Sequence, residues 1–526
     1  MVKKEPVTKV ILSNFIELKY NSAIMTKNKI YHIIFFLFAA AAAFFAACRA
    51  NNDGVTVTEL RYGFTSEPTT LDPLSSANTA DGRSILFNVF EGLVKPDTEG
   101  RLQPCIAESW TIEQNALVYN FIIRKNIHFH DGSILTPDDV KFSLETAITA
   151  GFQGINKIDK IETGESNSIR ITLKEPDPEL LPYMTIGIVK AGSTEREKNI
   201  NGTGPFFIES YTPQQNLVLK KFNDYREKDK PHLDKVTIVF FANSDAQLIA
   251  LRGGSIDGAN VVGSLVSQID HRYFDILNSY SASVQLMAFN NAAAPFNDIR
   301  VRRAVNYGID IQNIIDAAFF GMGSPSGSPI IPGLSDYYEK SLSYPYNPET
   351  ARALLSEAGF NENRKLTFEI TVPSNYTMHV DTAQVIASQL EKIGVSVSIK
   401  LIDWSSWLTD TYRGRNYQAT IVSLDGYNVS PKSYLSRYRS DSGSNFLNFK
   451  NDNFDKVYDS ALAETDNAQR IKLYKETQRI ITENAAAVYI QDINYPKVFR
   501  AGAFSGVSNY PLYVIDFASI YGIKKR

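Results

Sequence analysis

Apolar and polar residues alternate along several stretches of the chain, and helical periodicity fills the intervals between them. Val57, Leu60, Tyr62 and Phe64 begin an extended stretch that Thr70-Leu-Asp-Pro73 closes. Tyr119, Phe121 and Ile123 share one face of a predicted strand, as do Ile169, Ile171 and Leu173. Between those strands the spacing changes to that of a helix, with Val140, Leu144, Ala147 and Ile148 as its buried stripe. Thr136 suits its N-cap, Pro137 its first turn, and Asp138 and Asp139 its positive end. Further strands are predicted at Leu217–Phe222 and Val236–Phe241, and a helical region near Arg302–Ile315. Asn347-Pro348-Glu349 starts a helix that buries Leu354, Leu355 and Ala358 and stops at Gly359. Asp381–Ile393 reads as a helix ended by Gly394, and Val395, Val397, Ile399 and Leu401 alternate as the next strand. Helix and strand succeed one another without a short repeat, which makes this an α/β protein and not a solenoid.

At 526 residues the chain exceeds one compact core, so several domains are expected. A net charge of −3 gives no basic footprint for nucleic acid, and no glycine-rich phosphate loop lies between a strand and a helix. The sequence contains no Gly-x-Ser-x-Gly elbow, no His-Glu-x-x-His and no paired Cys/His motif, so no enzyme chemistry is indicated and no cofactor is expected. His128 and His130 have no further ligand at metal spacing nearby and read as turn or packing residues. Arg300, Arg302 and Arg303 read as an ion-paired helix face. Phe and Tyr are plentiful, at 31 and 27, while Trp occurs three times. Trp404 and Trp407, three apart at a helix start, read as packing residues.

Residues 33–48 form an almost unbroken apolar run, IIFFLFAAAAAFFAAC, preceded by Lys27 and Lys29. This is a signal-peptide pattern, too short for a comfortable membrane span. Phe45-Ala-Ala-Cys48 resembles the lipobox of bacterial lipoproteins, with Phe45 in place of an aliphatic residue. That resemblance implies cleavage before Cys48, its lipidation, and a polar tether over residues 48–55. Met25 fits the start of such a signal, which leaves residues 1–24 outside it. Removing residues 1–47 takes away six basic and two acidic side chains and leaves a net charge of −7. The chain's other cysteine, Cys105, then has no partner for a disulfide and is expected to be a small buried residue.

Seven blocks, in order, resemble the bacterial extracellular solute-binding proteins of family 5, the oligopeptide, dipeptide and nickel receptors of ABC importers. They are Thr70-Leu-Asp-Pro73, Asn88-Val-Phe-Glu-Gly-Leu93, the run from Ala107-Glu-Ser-Trp110 through Phe129-His-Asp-Gly132 to Thr136-Pro-Asp-Asp-Val140, Gly202-Thr-Gly-Pro-Phe206, Gly254-Ser-Ile-Asp257, Phe296-Asn-Asp-Ile-Arg-Val-Arg-Arg-Ala304 and Tyr346-Asn-Pro-Glu-Thr-Ala-Arg352. The similarity covers residues 55–500.

The resemblance implies a type II periplasmic-binding fold: two lobes joined by a hinge of two chain crossings, with an extra third domain. Lobe I would comprise 55–93, 203–288 and 492–526, the extra domain 94–202, and lobe III 289–491. A monomeric, lipid-anchored receptor on the outer face of the cytoplasmic membrane would pass its ligand to permease subunits backed by ATPases. In peptide-binding relatives the ligand lies extended against backbone from both lobes, which here matches Ala77-Asn78-Thr79 and Ile421-Val422-Ser423-Leu424-Asp425. Relatives place an Asp at the end of the second segment against the ligand's ammonium, and Asp425 is the candidate. The sequence departs from the family here: Val422 stands where Trp is usual, and Pro431 follows Asp425 by two residues more than expected. Counting back from Pro431 would put Tyr427 at the acidic position. Asp425 as a simple Asp-Gly turn former is the competing reading. Nickel chelates, haem, oligosaccharides and a purely sensory role are the alternative functions.

Overall fold

The computed structural model describes residues 57–75, 79–152, 154–426, 428–511 and 514–523. The signal segment, Cys48, Ala77, Asn78 and Tyr427 lie outside them.

Three sheets organise the chain. Glu59–Phe64 lies at the centre of a seven-stranded sheet, ordered Phe274–Leu277, Lys497–Arg500, Gly258–Asn260, Glu59–Phe64, Lys235–Phe240, Asn216–Lys221, Phe206–Thr212. A four-stranded antiparallel sheet is ordered Ala107–Glu113, Val118–Ile123, Ser168–Leu173, Ile158–Gly164. These two share one continuous core, in which Leu60 and Tyr62 of the first join Tyr119, Phe121 and Ile171 of the second and Val140 of the helix between them in sequence. The Pro137–Thr149 helix in that core starts as predicted, with Thr136 and Asp139 in a reciprocal capping box. Ile148, expected in the buried stripe, stays half exposed.

The third sheet has six strands: Gly323–Pro325, Ala487–Asn494, Tyr280–Phe289, Ala419–Asp425, Thr367–Pro373, Ser396–Ile402. One face packs Met287, Phe289, Ile421 and Ile490 against helices carrying Val301, Ile314 and Ile386. The other packs Leu286, Val422 and Tyr489 against Tyr434, Phe446 and Tyr474. The chain passes from the seven-stranded to the six-stranded sheet between Leu277 and Tyr280, and back between Asn494 and Lys497.

The predicted helical region at 302–315 is two helices, Ile299–Tyr307 and Ile311–Phe319, because Asp310 caps the second through the Asn313 amide. The helix expected at 381–393 begins four residues earlier, at Thr377, and ends at Glu391. The arginines of the first helix do not form one ion-paired face. Arg300 does meet Asp298 at 2.6 Å. Arg302, however, is buried and donates to the carbonyls of Phe296, Asn484 and Ala485, while Arg303 donates to that of Glu483. Both therefore cap the C-terminal end of the Asn467–Glu483 helix, where the dipole favours cations.

His130 packs, as expected, and does so at a defined place. Its Nε2 lies 3.0 Å from the Gly204 carbonyl, and its Nδ1 accepts the Gly202 amide at 3.2 Å. Burial pushes its pKa down to about 4. Gly202 and Gly204 are needed because Cβ atoms there would lie 2.0 and 2.6 Å from the Val89 backbone. Cys105 is buried, and that burial raises its thiol pKa far above the usual range, so the group is inert.

Candidate functional site

The strand Ala419–Asp425 is paired unequally on its two sides. Along Tyr280–Phe289 it is antiparallel over its whole length, from Phe289↔Ala419 to Ser283↔Asp425. Along Thr367–Pro373 it is parallel only at Ala419 and Thr420. From Ile421 to Asp425 the second edge carries no ladder among the described residues; Ile421 and Val422 are covered there and the Asp425 carbonyl is taken by Arg437, which leaves the half-buried Ser423 and Leu424 as the stretch an added strand could reach. Ile421 and Val422 are buried in opposite cores, and neither offers a side chain to a ligand. Ser423 and Leu424 are half buried, and the Ser423 hydroxyl has no hydrogen-bond partner among the described residues. Asp425 is exposed, and its carbonyl accepts from Arg437 at 3.0 Å. Gly426 follows because the Tyr434 ring passes within 2.3 Å of where a Cβ would stand.

The free edge points toward the C-terminal ends of the parallel strands Thr367–Pro373 and Ser396–Ile402, where open α/β sheets take their ligands. Aromatic rings gather there. Trp404 stacks on Trp407 with centroids 4.9 Å apart, and Tyr376 meets Trp404 edge-on at 5.5 Å. Trp407 is a packing residue, buried and donating to Thr420 Oγ1 at 2.9 Å. Trp404 is 36% exposed, which its spacing from Trp407 did not reveal.

Beneath the strand runs a buried polar row. Gln491 Nε2 donates to Gln285 Oε1 at 2.8 Å, and this fixes the Gln285 amide so that its Nε2 donates to Thr382 Oγ1 and His379 Nδ1, both at 3.0 Å. Burial pushes His379 down to about 4, so it is a neutral acceptor there. No group of three or more His, Cys, Asp or Glu suited to a metal occurs among the described residues.

Of the other expected segment, Thr79 is described. It caps the Ala80–Val89 helix, its hydroxyl accepting from Gly82 N at 2.9 Å and donating to the Glu67 carbonyl at 3.1 Å. A residue that sequence reasoning missed is Glu179, from the loop after Ser168–Leu173. It is buried and accepts from Ser430 Oγ and from Tyr474 OH at 2.9 Å, with Arg470 Nε 3.7 Å away. Neighbouring Asp177 meets Lys157 at 3.3 Å and Lys432 at 3.6 Å. This acidic finger joins the four-stranded sheet's unit to the loop that follows Asp425.

Comparison with known proteins agrees with this architecture. Residues 101–446 match the family model "Bacterial extracellular solute-binding proteins, family 5 Middle". The chain is 28% identical to heme-binding protein A of Haemophilus influenzae, over 73% of this chain and 78% of that protein. It is 25% identical to di/tripeptide-binding protein 1 of Pseudomonas aeruginosa, over 79% and 85%. Its fold overlays the unliganded open form of the MppA periplasmic murein tripeptide-binding protein with a TM-score of 0.80 at 21% identity, covering 89% and 98% of the two chains. The chain is a two-lobed α/β solute-binding protein, a member of family 5 of the bacterial extracellular solute-binding proteins that serve ABC importers.

Proposed function

We propose that this chain captures peptides in the crevice between its lobes and hands them to an ABC permease. The observation that carries the reading is the one-sided strand Ile421–Asp425. A free strand edge recognises any extended peptide through its main chain and leaves side chains to the surrounding surface. Asp425, exposed at the end of that edge, would pair with the ligand's ammonium. Ala77, Asn78 and Thr79 would supply the facing backbone, with Tyr427 the alternative to Asp425 at the acidic position. A relative whose name records di- and tripeptide binding supports this reading.

The expected lobes are proposed with two bounds moved, lobe I ending at 279 rather than 288 and resuming at 495 rather than 492: it comprises 57–93, 203–279 and 495–523, the extra domain 94–202, and lobe III 280–494 rather than 289–491. The last boundary follows the strand Tyr280–Phe289, which pairs in the six-stranded sheet. Ligand would close the lobes about the two crossings, as a hinge motion selected by binding. The receptor is further proposed to be a monomer, held by lipid on Cys48 outside the cytoplasmic membrane.

Calorimetry with a free-amine peptide and its N-acetylated twin tests the reading. Wild type is expected to prefer the free amine, and Asp425→Asn to lose about two to four orders of magnitude in affinity for it, the cost of stripping a buried charge of its partner. Equal binding of both peptides by both proteins would remove Asp425 from the amine site. One relative binds haem by name, and a Soret band on titration with haemin would favour that second reading.

A further inference from the structure

The end of the free-edged strand carries two opposite charges side by side. Asp425 is exposed, and its carboxylate enters no hydrogen bond or ion pair among the described residues. Arg437, from the short helical turn Ser436–Tyr438, is half buried and reaches back to the same strand end. One of its guanidinium nitrogens donates to the Asp425 carbonyl at 3.0 Å and to the Ser433 carbonyl at 3.3 Å. Two carbonyls thus fix the group, and three of its five N–H donors find no protein partner among the described residues. Closing the turn after Lys432–Leu435 accounts for the bond to Ser433 and not for the one to Asp425. The strand end itself is held from its other side. Tyr434 packs its ring against Gly426 and donates from its hydroxyl to the Ala282 carbonyl at 3.0 Å. Ala282 lies in a bulge of the neighbouring strand, where pairing jumps from Tyr280–Asn494 to Val284–Asp492 and Ala282 takes φ +60°. Ser283, next along, stands in register with Asp425.

We propose that Asp425 and Arg437 together read a zwitterionic head group, an ammonium and a carboxylate on one carbon, so that ligands with a free α-amino acid head are preferred over ordinary α-linked peptides. The lengths agree. An aspartate carboxylate lies within about 5 Å of its own carbonyl oxygen, which places the Arg437 guanidinium within about 8 Å of the Asp425 carboxylate. An ammonium and a carboxylate on one carbon are about 3 Å apart, and a charge-assisted hydrogen bond of about 2.8 Å on either side spans that gap. The charges agree as well. An arginine beside an ammonium site repels a ligand that brings the ammonium alone, and a carboxylate on the same carbon turns that repulsion into attraction. Because two carbonyls hold the guanidinium in advance, little freedom is lost when it meets the ligand. The inference rests on Asp425 taking the ligand's ammonium, as proposed above.

Two isomeric dipeptides separate this reading from plain peptide capture. γ-Glutamyl-alanine and α-glutamyl-alanine have the same composition and charge, and differ in whether a carboxylate shares the carbon that bears the ammonium. Calorimetry on the full chain is expected to show the γ-linked isomer bound about tenfold to a hundredfold more tightly, the worth of a charge-assisted contact. Arg437→Gln should bring the two isomers level, and Arg437→Lys, which keeps the charge and loses the fork, should retain a reduced preference. Thermal melting confirms that the variants fold, and the wild-type comparison stands without them. Equal binding of the isomers by wild type, or tighter binding of the α-linked one, overturns the zwitterion reading and leaves peptide capture standing. A γ-preference that survives in Arg437→Gln overturns the role of Arg437. Binding of neither isomer overturns this inference together with the peptide reading.

Discussion

Replacing Glu179 by alanine removes a buried carboxylate from a socket whose donors, Ser430, Arg470 and Tyr474, all come from more than 250 residues further along the chain. Tyr474, fully buried, loses the acceptor of its 2.9 Å bond; Ser430 Oγ loses its acceptor as well, and Arg470 keeps no carboxylate within reach. Proximity to Glu179 also holds the Tyr474 phenol protonated, its pKa well above the usual value chiefly through burial. Breaking one side of a buried ion pair costs about 3–5 kcal/mol, because the partner is left in a poorly solvated place. Glu179→Gln keeps an oxygen acceptor and gives up the charge, so the loss falls to about 1.5–3 kcal/mol. Urea unfolding followed by tryptophan fluorescence measures both. A double-mutant cycle with Tyr474→Phe should show coupling of about 0.5–3 kcal/mol, as expected of residues in one network. A loss below about 1 kcal/mol for Glu179→Ala, or additivity with Tyr474→Phe, would mean that the finger rests against Ser430 and Tyr474 without being fastened to them.

Two buried groups give stability opposite dependences on pH. Burial holds Asp492 up to about 7, so the native state keeps a proton that the unfolded state gives up near 4; its contribution is full below that value and is lost as pH rises to 7, about 4 kcal/mol in all. Asp492→Asn should remove that share of the slope, so the stability difference between wild type and variant falls as pH rises from 4 to 8; a difference that stays flat over that range would refute the assignment. His379, pushed down to about 4, works the other way: its contribution is present above about 6.5 and is lost as pH falls to 4, about 3 kcal/mol, and His379→Gln should flatten that limb. Intact mass of protein extracted from membranes should show a mature N-terminus at acylated Cys48; any other N-terminus removes the lipid anchor.

Much of the fold was legible because its signals are local. Tyr119, Phe121 and Ile123 alternate and are buried together, and Thr136-Pro137 with Asp139 starts its helix as read. The break between Tyr307 and Ile311 was less visible, since apolar periodicity runs across it and the Asp310 cap decides it. The polar networks were not legible at all. Glu179 meets residues 251 and 295 positions away, and nothing in its neighbourhood in the sequence marks it. Arg302 and Arg303 looked like surface charge because their partners are main-chain carbonyls, which carry no sequence signature. The bulge at Ala282 is equally silent, as glycine is the residue that usually marks a left-handed site.

The candidate site turns on which residue ends the free-edged strand, and the surrounding contacts bear on that choice. Counting along the family pattern left two possibilities, Asp425 with a longer loop after it or Tyr427 in its place. Pairing with Tyr280–Phe289 runs without a shift from Ala419 to Asp425, so an insertion before Asp425 would have to break a register that is intact. On the far side, Pro431 opens the short helix Lys432–Leu435, and Ser430 just before it is bound by Glu179. Between these anchors Tyr434 packs against Gly426. The chain is therefore held at 426 and again at 430. On that reasoning the strand ends at Asp425, whose side chain stays exposed, and the contacts at Gly426 and Ser430 bound the segment that follows it.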